Sequence, residues 1–232
     1  DEYVAFGGRP ARTAALSAEG EIGQWLRALP AVAVVGDTVF AHAGLLPDAA
    51  RLLGVEGANS ALRRVLLPES HGLGAWEDDP AVPWCDGDGA AVVAATPPAS
   101  SSVVAANSTT TAAESDRGRP CLTERRAKRL VNGDSGPLWT RAFAQHDEAA
   151  ACALAAASLA EITAARAARG EPPVSRMVVG HTPQRDGAPS LRCGGALVLN
   201  DVGLSRWISD GGAVAATEIV GGDVRRIVGV AD

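Results

Sequence analysis

Two short segments constrain this chain more than any others: Val39-Phe40-Ala41-His42-Ala43-Gly44-Leu45 and Val178-Val179-Gly180-His181-Thr182-Pro183-Gln184. Each is an apolar run that reaches a histidine and then breaks at a small residue or a proline. A buried strand that hands over to a loop at a histidine sets the imidazole at the carboxyl end of a sheet, where open α/β folds collect their functional groups. Two such histidines in one chain predict a cation held from two strand ends.

With 232 residues, 47% of them hydrophobic, the chain can bury a sizeable core, and its length favours one domain. A net charge of −6 and an isoelectric point near 5.3 argue against a nucleic acid or an anionic membrane as partner. By composition the longest apolar stretch, Ala149 to Ala157, is mostly alanine and falls short of the ~20 residues that span a bilayer. Cys85, Cys121, Cys152 and Cys193 lie far apart without paired spacing, so neither a zinc knuckle nor a redox pair is visible. They read as reduced cysteines, favouring an intracellular setting, and Cys193 beside Gly194-Gly195 reads as a small apolar strand residue. The opening Asp1-Glu2-Tyr3-Val4-Ala5-Phe6 is neither a signal nor a transit peptide, and the chain is expected to be a fragment.

Periodicity and punctuation predict the elements. A helix is expected over Ser17 to Leu29, capped by Ser17, with Ile22, Trp25, Leu26 and Leu29 on one apolar face and Pro30 as its stop. Ala31–Val35 and Thr38–Ala41 around Gly36-Asp37 predict a β-hairpin, in which Asp37 has no further role. Short amphipathic helices are expected at Asp48–Leu53 and Asn59–Leu67. From about Gly87 to about Arg119 the chain is Ala, Ser, Thr, Pro, Gly and Asp with few large apolar residues, which predicts a disordered insertion. A basic helix follows at Thr123–Val131, carrying Arg125, Arg126, Lys128 and Arg129 as a solvated face. Another helix is expected to start at Gly136-Pro137, and a long alanine-rich one to run from Asp147 to Arg169, closed by Gly170. Strands are expected at Arg176–Val179 and Ala196–Leu199, then a hairpin of Ala213–Val220 and Val224–Val230. Alternating strands and helices with terminal hairpins make a mixed-sheet α/β fold.

Taken singly, His42 or His181 is a strand-end histidine satisfied by hydrogen bonds. Occurring together, with a small neighbour on either side, they favour a shared cation. Arg141 is either a helix-surface arginine paired with Asp147 or Glu148, or an anion ligand whose guanidinium Trp139 supports. Asp201 at a strand exit either orients His181 as a hydrogen-bond acceptor or closes an Asx turn. Arg206 and Trp207 read as packing residues.

These segments resemble motifs of the calcineurin-like metallophosphoesterase superfamily. Gly36 to Leu45 is similar to the segment in which a histidine followed by two small residues binds the second metal, and Gly180-His181-Thr182-Pro183-Gln184 to the later Gly-His motif. Trp139-Thr140-Arg141 resembles a Trp-x-Arg element whose arginine grips phosphate. Asn200-Asp201-Val202-Gly203-Leu204-Ser205-Arg206-Trp207 and Gly20-Glu21-Ile22-Gly23-Gln24-Trp25-Leu26 resemble elements of the Shewanella-like protein phosphatase group. The resemblance implies a layered α/β/β/α sandwich with mixed sheets. It implies a metal-dependent phosphoesterase, specifically a serine/threonine protein phosphatase acting on phosphoproteins through a hydroxide activated by two divalent ions (Mn, Fe or Zn). His42 and His181 would be metal ligands, Arg141 the phosphate-binding residue, and Asp201 a carboxylate behind His181.

One departure matters. The superfamily's first motifs, an Asp-x-His, a Gly-Asp with a following Asp-Arg and a Gly-Asn-His, do not occur here; Glu69-Ser70-His71 is the nearest imitation. The bridging aspartate and the first-metal ligands are therefore missing. The expectation is that residues 1–232 are the carboxyl-terminal part of one catalytic domain, incomplete in its amino-terminal half, with the insertion at about 87–119. Such a piece should bind a cation weakly, turn over little substrate and leave an apolar face uncovered. The alternatives are an inactive remnant or binding module, and a dinucleoside-polyphosphate hydrolase, similar in its His-Ala-Gly-Leu segment.

Overall fold

The structure, a computed structural model, describes residues 4, 7–66, 85, 121–205, 208 and 214–229. The expected insertion, the Glu69-Ser70-His71 imitation, Arg206 and Trp207 lie outside them. The described elements run α1 (Arg9–Leu16), α2 (Glu21–Ala28), β1 (Val32–Val35), β2 (Thr38–Ala41), α3 (Pro47–Leu66), α4 (Glu124–Asn132), α5 (Ala142–Gln145), α6 (Glu148–Ala167), β3 (Arg176–Val179), β4 (Ser190–Arg192), β5 (Leu197–Leu199), β6 (Ala215–Val220) and β7 (Asp223–Val228).

The central sheet has the order β1-β2-β3-β5-β4. Its three middle strands β2, β3 and β5 are parallel, and the edge strands β1 and β4 are antiparallel to their neighbours. All of β3 and β5 is buried, as expected of parallel strands covered on both faces. The chain is thus mixed α/β, as its alternating pattern predicts. Helices α3 and α6 pack on each other, α3 reaches β1 and α6 reaches β3. The core between them includes Val39, Leu45, Leu53, Val55, Phe143, Ile162, Met177 and Leu197.

The helices show their causes. Thr123 caps α4 by accepting from the Arg126 amide, and Asp147 caps α6 by accepting from the Ala150 amide. The two short helices expected before the insertion are one element, α3, kinked at Gly54, whose φ of 63° no ordinary residue adopts easily. At that kink α3 comes close to α6 at Ala165. Edge strand β1 is fastened to α3 by Asn59, which accepts from the Ala31 and Val32 amides at 2.9 and 3.0 Å and donates to the Val32 carbonyl at 2.7 Å.

Several expectations are corrected. Ser17 does not start the helix of Ile22 and Trp25. It ends α1, and the following helix begins only after Gly20. Gly136-Pro137 opens a turn, not a helix, and the first helical turn comes at α5. Strand β4 has no counterpart in the sequence reading. Asp37 is more than a turn residue, since its carboxylate accepts from the Ser175 hydroxyl and pairs with Arg176 at 3.9 Å. The hydrogen bond from Ser175, ahead of the nearby guanidinium, holds the Asp37 carboxyl below the usual range. Helix α6 is, by length and composition, long and apolar enough to cross a membrane. It nonetheless buries Ala151, Ala155, Ser158, Leu159, Ile162 and Arg166 in this fold.

The cysteines are the largest correction. All four are paired, Cys85 with Cys121 and Cys152 with Cys193, across 36 and 41 residues of sequence. Cys193 is not an apolar strand residue. It turns the corner between β4 and β5 with a left-handed φ of 57°.

Buried Arg176, at the start of β3, gathers the lower end of the molecule. It donates to the carbonyls of Gly195 at 2.9 Å and Gly222 at 2.7 Å and to the Thr38 hydroxyl at 3.3 Å. The β6–β7 hairpin, a separate two-stranded sheet, is tied to the central sheet through its turn by this side chain.

Candidate metal centre

Strands β2 and β3 run side by side in the same direction, with Ala41 opposite Val179. His42 is the residue after β2, and His181 comes two residues after β3. The Gly180 amide donates to the His42 carbonyl at 2.8 Å, which locks the two exits together. A side chain at 180 would press on that carbonyl, its Cβ lying only 3.3 Å from the oxygen. His181 itself takes a left-handed φ of 66°. That conformation costs a non-glycine residue of order 1–2 kcal/mol, and here it swings the imidazole toward its neighbour.

The result is a close pair. Nε2 of His42 lies 3.1 Å from Nδ1 of His181, and the ring centroids are 4.9 Å apart. Two imidazole nitrogens sharing one tetrahedral ion at ~2.0–2.1 Å sit roughly 3.3 Å apart. The observed separation matches that spacing, and it also matches a hydrogen bond in which one ring donates and the other accepts.

The turn before α5 completes the surroundings. The Ala43 amide donates to the Pro137 carbonyl at 2.7 Å, and the Trp139 and Thr140 amides both donate back to Gly136. Buried Thr140 accepts from the Ala142 amide at 3.3 Å. Trp139, 54% exposed, sets its ring edge-on to His181 with centroids 5.6 Å apart. Arg141 donates from Nη1 to the His181 carbonyl at 3.2 Å. Neither Asp147 nor Glu148 holds it: Asp147 caps α6, and Glu148 pairs with Arg192 at 3.7 Å. Trp139 thus supports the His181 ring and not the Arg141 guanidinium.

Asp201 follows β5 in the next strand exit. Its carboxylate accepts from the Gly203 amide at 3.1 Å, an Asx turn, and its carbonyl accepts from the Gln184 amide at 2.7 Å. The expected hydrogen bond from the His181 ring to the Asp201 carboxylate is replaced by this turn, and Asp201 acts on the ring through its charge. Among the described residues, His181 Nε2 is buried without a hydrogen-bond partner.

Burial first, then the Arg141 guanidinium and then His42, lower the His181 pKa below 6.5; the Asp201 charge and the Trp139 backbone work the other way. The ring is therefore held neutral, the form that binds a metal. The donor set fits one divalent cation. It does not fit two, because among the described residues no third His, Cys, Asp or Glu donor lies within 4.8 Å of both ring nitrogens.

No protein-family model, no curated protein and no solved structure matches this chain.

Proposed function

We propose that His42, His181 and Arg141 are part of a metal-dependent phosphoesterase site of the calcineurin-like kind, acting on phosphoserine or phosphothreonine in proteins. The five-stranded sheet would be one layer of its α/β/β/α sandwich. One observation carries the reading: two imidazoles separated by 139 residues of sequence bring their nitrogens within 3.1 Å, and a guanidinium is fixed to the same loop.

In this reading His42 Nε2 and His181 Nδ1 would hold one divalent ion, which when bound supplies a Lewis acid for a phosphoryl oxygen. Arg141, positioned by the His181 carbonyl, presents its remaining N–H groups to two oxygens of a phosphate. Trp139 stiffens the His181 ring, and the charge of Asp201 offsets part of the repulsion between the Arg141 guanidinium and a cation. A second reading, a cation- and phosphate-binding module without turnover, is favoured by the lack, among the described residues, of a third donor beside the pair.

Calorimetric titration with Mn²⁺ and then inorganic phosphate tests the proposal. The chain should bind Mn²⁺ weakly and phosphate only in its presence. His42→Ala and His181→Ala should each abolish both, and Arg141→Ala phosphate alone. Mn²⁺ binding unaffected by either histidine variant would leave the pair as a plain hydrogen bond. Hydrolysis of a phosphopeptide would separate the two readings.

A further inference from the structure

We propose that the corner between the start of α6 and the β4–β5 connection is a second metal site, independent of the histidine pair and open only when the Cys152–Cys193 disulfide is reduced. Its ligands would be Cys152 Sγ, Cys193 Sγ and Glu148 Oε1, and its ion a thiophilic divalent cation such as Zn²⁺.

Among the described residues these three form a group whose ligand atoms all lie within 4.8 Å of one another. Glu148 and Cys152 are one helical turn apart and share a face of α6. Glu148 Oε1 lies 3.8 Å from Cys152 Sγ and accepts from the Cys193 amide at 3.0 Å. The carboxylate is oriented from behind: its other oxygen, Oε2, faces Arg192 Nε at 3.7 Å. Arg192 is itself anchored, donating to the carbonyls of Phe143 at 3.2 Å and His146 at 3.0 Å. Such outer partners fix a ligand's direction before the ion arrives.

The Cα atoms of the two cysteines are 5.4 Å apart. Once the bond is broken, side-chain rotation can bring both sulfurs to ~2.3 Å from one ion. Charge also balances, since two thiolates, one carboxylate, the Arg192 guanidinium and a divalent cation sum to zero. The exposed side of Glu148 leaves a fourth position for water. In the opening step a dithiol reductant gives two electrons and two protons, its own sulfurs join, and the protein S–S bond becomes two thiols. Binding the ion then releases both thiol protons to solvent.

The test uses the full chain reduced with a phosphine and titrated with Cd²⁺. The sulfur-to-cadmium absorption band is followed, circular dichroism checks the fold, and iodoacetamide labelling is mapped by peptide mass. One Cd²⁺ per chain should bind, slowing labelling of Cys152 and Cys193 by tenfold or more while the labelling rate of Cys85 does not change. The oxidised chain should show no band. Glu148→Gln should weaken Cd²⁺ by about tenfold or more, and Cys193→Ser should lose the band. Unprotected Cys152 and Cys193, unchanged affinity in Glu148→Gln, or unfolding on reduction would each overturn the proposal.

Discussion

Individual side chains decide how the histidine pair is held. Gly44, with a φ of 122°, lies where a Cβ would stand 2.3 Å from the Phe143 ring. Gly44→Ala combines a disfavoured backbone with overpacking of a buried ring and should cost about 2–4 kcal/mol in urea unfolding. His181 gives a pH dependence of known sign. Its folded pKa lies below the 6.5 of a free histidine, so between those values the unfolded chain binds more protons. Its contribution to stability is therefore flat above pH 6.5 and is lost progressively as pH falls through the lowered value. Wild type should lose more stability between pH 7 and 5 than His181→Asn does; equal slopes in denaturant titrations would contradict the assignment. Both histidines were legible in the sequence because a strand exit is a local pattern. The role of Arg176 was not, because nothing near residue 176 announces carbonyls supplied by residues 195 and 222.

Among elements, those with local punctuation were readable: the Gly36-Asp37 hairpin, α4 behind Thr123 and α6 behind Asp147 all fall where capping and turn chemistry put them. Strand β4 escaped because it is three residues long and half-buried, with no alternation to read. The helix boundary at Ser17 failed because one serine can close a helix as well as open one: its hydroxyl donates to the Ala14 carbonyl and accepts from the Gly20 amide. Disulfide pairing, a contact across dozens of residues, has no local signature at all. The α3–β1 junction rests on Asn59. Asn59→Ala removes three hydrogen bonds and leaves two amides and a carbonyl at the strand start, which should cost about 2–4 kcal/mol. Hydrogen exchange at Val32 should rise more than exchange in β3; uniform loss across the sheet would contradict a local fastening.

Over the whole molecule, apolar surface is unevenly covered. The apolar face of α2 is open: Trp25 is 60% exposed, and Ile22, Leu26 and Leu29 are exposed beside it. Leu26 and Leu29, with Leu16, Pro30, Leu62 and Leu138, edge a cleft of about 510 Å³. An apolar patch of this kind promotes association, so Trp25→Lys combined with Leu26→Glu should shift gel-filtration profiles toward monomer without changing the circular dichroism spectrum. A wild type that is already monomeric would count against it. The order of the sheet strands was not readable, since β3 sits between β2 and β5 through pairings more than 130 residues apart for one neighbour and about 20 for the other.

The bond between Cys85 and Cys121 carries its own biochemical signature. A protease that cuts once anywhere between those two positions would produce two peptides that still travel as a single covalent molecule. The cut would stay invisible by size until a reducing agent released the halves, so an intact band on a non-reducing gel says nothing about whether the polypeptide is continuous.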